Sequence, residues 1–99
     1  NVLLGRYYVG NLERHTYVIK FYDDNTVQLC EVKFGKEKNS YVNTFGTYTL
    51  DQSAVAVYLG DTTLHGAVRD NGDKIYFGTD DFRSATDDDI GADTVAQFQ

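Results

Sequence analysis

The chain has 99 residues, a formal net charge of −6 and a single cysteine. That length makes one domain, burying roughly 60–70% of its unfolded surface, with room for one core and none for a second module. No stretch approaches the roughly 18 apolar residues of a membrane span, and no cluster of Lys or Arg offers the basic face that a phosphate backbone needs, so neither a membrane span nor a nucleic-acid partner is expected.

Eight Tyr and six Phe, with many Val and Thr, favour strands, and no window keeps a helical period. Turn signals recur at Gly10-Asn11, Asp23-Asp24-Asn25, Gly35 through Ser40, Asp51-Gln52-Ser53, Gly60-Asp61 and Asn71-Gly72. They predict strands near 4–9, 15–22, 27–34, 41–50, 54–59, 62–69 and 73–78, the pattern of a sandwich or barrel built from hairpins. The fold class expected is all-β, an antiparallel up-and-down meander of seven or eight strands curled into a small barrel, because a flat sheet would leave two edges unpaired.

In the second hairpin Tyr17, Ile19 and Phe21 alternate well. The return strand offers Val27 and Leu29 on one parity, then Cys30, Val32 and Phe34 on the other. A β-bulge near Leu29-Cys30 would reconcile the two sets. From 41 onward the parity is cleaner. Two-residue loops at Asp51-Gln52, Gly60-Asp61 and Asn71-Gly72 set Tyr48 opposite Val55, Val57 opposite Leu64, Gly66 opposite Phe77 and Val68 opposite Ile75, all on one face. Gly66 leaves room for the Phe77 ring. The opposite face then pairs Ala56 with His65, Tyr58 with Thr63 and Ala67 with Tyr76.

Residues 1–79 carry eight Lys/Arg against nine Asp/Glu, while 80–99 carry one against six. The chain therefore divides into a barrel body over 1–79 and an acidic segment over 80–99. Thr86 ahead of Asp87-Asp88-Asp89 has the form of a helix start, Gly91 argues against a long helix, and 94–98 is a candidate closing strand. The chain begins at Asn1 without Met and is expected to be a processed or excised product.

Gly5-Arg6-Tyr7-Tyr8 on a first strand, followed by a meander of hairpins, resembles the opening of the lipocalin-like (calycin) barrels, with Tyr7 standing where their Trp would be. Thr79-Asp80-Asp81-Phe82-Arg83 is similar to their later Thr-Asp-Tyr stretch and Arg, with the aromatic displaced by one place. The resemblance implies a small up-and-down barrel that binds something apolar or another protein. The bulk of the aromatics favours a filled interior over a hollow one.

Chemistry-bearing residues are sparse. His15 and His65 lie on different strands without metal-ligand spacing. Cys30 sits in a hydrophobic run, where Cys is a small inert hydrophobe. The acidic run lacks the spacing of a calcium loop and reads as a solvated face. No catalytic residue, metal site or cofactor is assigned. Three functions follow. The first is a non-catalytic protein-binding or inhibitory module that meets another protein through an aromatic sheet face of Tyr58, His65 and Tyr76, joined by Tyr22, or through turn tips. The second is a carrier of a small apolar ligand, with the barrel interior lined by Tyr17, Ile19, Tyr48, Val57 and Phe77. The third is a structural domain of a larger surface or virion assembly.

Overall fold

The computed structural model describes all residues, 1–99. Its eight strands are β1 (Tyr7–Leu12), β2 (His15–Phe21), β3 (Thr26–Lys33), β4 (Ser40–Asp51), β5 (Ala54–Leu59), β6 (Thr62–Arg69), β7 (Lys74–Phe77) and β8 (Asp80–Ala85). Each pairs antiparallel with the next, and β8 pairs with β1, closing the meander into a barrel. Closure removes both sheet edges. A 3-10 turn over Asp70–Gly72 joins β6 to β7; two four-residue helices follow β8, α1 (Asp87–Ile90) and α2 (Ala92–Val95), and then a second 3-10 turn over Ala96–Phe98.

Inward residues come from alternate positions on every strand. Tyr8, Ile19, Phe21, Val27, Leu29, Tyr48, Val55, Val57, Val68, Ile75, Phe77 and Phe82 form one core, with Leu3 from the N-terminal segment. The face assignments from β4 onward hold, and so do the pairs Val57 with Leu64, Val68 with Ile75, Ala56 with His65, Tyr58 with Thr63 and Ala67 with Tyr76. Tyr48 pairs with Val57 rather than Val55, because the β4–β5 turn is Gln52-Ser53. The slip is two residues, so no side chain changes face. Asn71 (φ 55°) and Gly72 (φ 92°) are left-handed as the Asn-Gly signal requires, and the Asp73 N–H donates to the Asp70 carbonyl at 3.1 Å. Asp70 is left-handed too (φ 55°), however, and the connection is a short 3-10 stretch taking in Asp70 to Asp73 rather than a two-residue loop.

Five expectations are corrected. Gly10-Asn11 is not a turn. The first hairpin turns at Glu13-Arg14, and Gly10 lies mid-strand, where a Cβ would come within 2.7 Å of the Phe82 ring. Glycine here makes room for a ring and does not bend the chain. There is no bulge at Leu29-Cys30. The β2–β3 and β3–β4 registers run unbroken, and β3 is buried on both faces because something covers the barrel from outside. The closing strand is not 94–98, which is helical, but Asp80–Ala85. Phe82, fully buried opposite Ile75, supplies its one large inward group, so acidic neighbours hid the strand in the sequence. The barrel body therefore reaches residue 85 rather than 79. Lastly, the first strand runs over Tyr7–Leu12 rather than 4–9, and the residues ahead of it plug one end of the barrel.

That plug is specific. Leu3 is fully buried. The Asn1 side-chain amide donates to the Tyr48 phenol at 2.8 Å, and that phenol donates to the Tyr22 carbonyl at 2.8 Å. Tyr8 and Arg6 both donate to the Gly72 carbonyl, and Arg6 also pairs with Asp73 at 3.0 Å. The β6–β7 turn is thus tied to the start of β1.

Two outcomes follow from this packing. A Cβ on Gly66 would stand 2.8 Å from the Phe77 ring, so Gly66→Ala is expected to cost about 1–3 kcal/mol and to lower the thermal midpoint measured by circular dichroism. An unchanged melt would show that the ring is free to move aside. Burial pushes the Tyr8 phenol up to about 12, partly offset by Arg6. An unfolded Tyr ionises near 10, so this contribution is intact below pH 10 and is lost as pH rises from 10 through 12. Denaturant melts across that range, with phenolate absorbance to report ionisation, measure it.

Candidate functional site: an open cup and a covered wall

The end opposite the plug is open. It is ringed by the β1–β2 turn, the β5–β6 turn and the β7–β8 turn, and it holds a cup of about 300 Å³. Leu12, Tyr17, Leu29, Leu59 and Leu64 form its apolar wall, with Thr44 and Thr62 hydroxyls and the carboxylates of Glu13 and Asp80 completing it. The leucines and Tyr17 lean on the core from above without closing over it. The interior is accordingly filled over its lower part and empty at its mouth.

Of the five interior residues expected to line a ligand site, Ile19, Tyr48, Val57 and Phe77 are packed into the core, and only Tyr17 borders the cup. All five point into the barrel, at different heights along its axis. Parity identifies inward residues but not their height along the axis. The missed signal was the run of inward leucines beside the hairpin turns, Leu12, Leu59 and Leu64, where the deeper layers use rings and β-branched groups.

Acidic groups gather on one side of the mouth. Glu31 faces inward opposite Tyr17, its carboxylate 3.2 Å from His15 Nδ1, with only 18% of its side chain exposed. Burial raises the Tyr17 phenol, and the charges of Glu31 and Glu13 raise it further. Carrying the β1–β8 register onward sets Asp80 beside Leu12, next to Glu13. Neither Glu13 nor Asp80 has an ion-pair partner within 4 Å.

The outward aromatic face has the predicted pairing. Tyr58 is 41% exposed, His65 is exposed and Tyr76 is half-buried, with Ala56 and Ala67 between them. Tyr22 is not part of this face. It follows β2, donates from its phenol to Gln28 at 3.1 Å, and belongs to the wall covered by the C-terminal segment.

That cover explains the two-sided burial of β3. Tyr7, Val18, Cys30 and Val32 point outward from β1, β2 and β3 and pack with Ile90 and Phe98. The Phe98 ring meets the Tyr7 ring edge-on at 5.2 Å. Gln28, 3% exposed, donates to Asn43 at 3.1 Å and to the Gln97 carbonyl at 2.7 Å, while Asn43 donates to the Gln97 side chain at 3.0 Å. Tyr41 and Thr94 hydroxyls share a 3.1 Å bond. Thr86 caps α1 as expected, its side chain bonded with Asp89 in a reciprocal capping box, which holds the Asp89 carboxyl below the usual carboxylate range. Cys30 is fully buried and its thiol is pushed up to about 11 by that burial.

No protein-family model matches the chain, and neither a curated protein nor a solved structure matches it at a significant level. What stands is the architecture, an eight-stranded antiparallel barrel in which no helix is long and apolar enough to cross a membrane.

Gln28→Ala is expected to loosen the cover. It strands the Gln97 carbonyl and the Asn43 amide at a cost of about 1–3 kcal/mol, so limited proteolysis should cut within 86–98 faster than in the parent chain while the barrel core stays protected. Equal cleavage rates would show that Ile90 and Phe98 hold the segment unaided.

Proposed function

We propose that the chain is a non-catalytic binding barrel of the lipocalin-like kind, holding one small apolar ligand in the cup at its open mouth. The observation that carries this reading is the contrast between the two ends. One end is sealed by Leu3 and a hydrogen-bonded plug, and the other leaves about 300 Å³ between leucine side chains unfilled. That volume is at the small end of ligand pockets, and an apolar wall with a few polar groups is their usual make-up. An eight-stranded barrel encloses room for side chains or one small ligand, and this one is packed over its lower part and unfilled at its mouth. The chemistry elsewhere supports a role without catalysis. Cys30 is sealed beneath the C-terminal cover, His15 is paired with Glu31, and His65 stands on an open sheet face.

The test is binding of the neutral fluorophore N-phenyl-1-naphthylamine. Enhancement with the parent chain and its loss in Leu64→Phe, which fills the cup, is the expected pair of results, with melting temperatures within a few degrees. Undiminished binding by the filled variant would place the dye elsewhere and end the proposal.

A second reading rests on the exposed Tyr58 ring beside His65 and Tyr76, an amphipathic surface of the kind enriched where proteins meet. Under it, Tyr58→Ala with Tyr76→Ala leaves the melting temperature nearly unchanged and abolishes capture of a protein partner. Loss of folding instead would assign both rings to stability.

A further inference from the structure

Resting on the ligand-cup reading, we infer that the cup is built for an amphiphile with a cationic head, a short-chain or small-ring amine, rather than for a fatty acid. The volume of about 300 Å³ equals roughly ten waters at their liquid volume, room for one chain of about eight carbons. The apolar body would lie against Leu12, Leu29, Leu59 and Leu64, and the head would emerge at the rim. The charge at that rim is one-sided. Glu13 and Asp80 line the cup itself and have no cation within 4 Å. Glu31, paired across from Tyr17, does not line the cup and is engaged by His15. The opposite arc, from β4 to β6, lines the cup with Thr44, Leu59, Thr62 and Leu64 and brings no charge into it.

The cations near this end lie further out. His15 is engaged with Glu31. Arg14 occupies the exposed turn after Glu13 and does not line the cup. Lys33, Lys36 and Lys38 sit on the far part of the β3–β4 hairpin, with Lys33 four residues past Leu29, roughly 13 Å along the strand. A carboxylate head held at the rim would therefore meet the two carboxylates of Glu13 and Asp80 at close range, and an ammonium would meet their attraction. Discrimination by such a rim is a difference between two head groups on one body, so it is separable from the affinity that the leucines supply.

The experiment is displacement of N-phenyl-1-naphthylamine by octylamine, octanol and octanoate at neutral pH, in low and in high salt. Octylamine is expected to displace the dye at about a tenth or less of the octanoate concentration, with octanol between, and added salt should narrow the gap. Glu13→Gln with Asp80→Asn should abolish the preference, read as the ratio of octanoate to octylamine concentrations that displace the dye, so that any change in dye affinity cancels; both side chains are exposed and neither supports the core. Octanoate equal to or better than octylamine, or a preference that survives the double substitution, overturns the cationic-head inference and leaves the cup standing. Failure of the parent chain to bind the dye or any of the three amphiphiles overturns the cup reading itself.

Discussion

The hydrogen-bonded seam between β1 and β8 is the constraint on which everything else depends. It runs from Tyr7 to Val9 on one side and from Arg83 to Ala85 on the other. Without it the meander would be a curled sheet with two free edges and an apolar face open to water. With it, alternate residues of all eight strands share one interior, and Phe82 from the acidic C-terminal third becomes as deeply buried as Ile19 or Val57. The ring of Phe82 needs the bare backbone of Gly10 on the partner strand. Closure and core packing are therefore one event at this seam.

The interior so formed is graded along its axis. Tyr8, Phe21 and Tyr48 lie near the plugged end, their rings meeting edge-on, at 5.7 Å between Tyr8 and Phe21 and 4.9 Å between Phe21 and Tyr48. The hydroxyls of Tyr8 and Tyr48 are spent on the plug and on backbone carbonyls, which lets polar atoms be buried without loss. Toward the mouth the lining changes to leucine. A leucine at the end of a strand has no layer above it, so the cup is what remains when the filling stops one layer short of the rim.

The outer surface divides as well. β1 to β4 carry a second apolar layer, sealed by the segment after residue 86, and Gln28 fixes its alignment through amide contacts with Asn43 and Gln97. β5 to β7 carry no cover, and there Tyr58 and Tyr76 are flanked by alanines and threonine. The apolar cup and the aromatic face are consequently separate surfaces. One is at the end of the barrel and one is on its side, so a ligand in the first leaves the second free.

The amino-acid sequence by itself determined the strand identity of most of the chain, the Asn71-Gly72 turn and the two faces of β4 to β7. These depend on period-two alternation and on local turn chemistry, which neighbours in sequence carry. It also marked Thr86 as a helix start, since a cap is local too. It did not determine that Gly10 lies within a strand, that Asp80–Ala85 closes the barrel, that β3 is covered on both sides or that the opening is bounded by leucines. Each of those depends on a residue distant in sequence: Phe82 against Gly10, β1 against β8, Phe98 against Tyr7, Leu59 and Leu64 across from Leu12 and Leu29. Tertiary structure decided them because burial is a property of what arrives from elsewhere in the chain, and a strand's own pattern records only which way its side chains point.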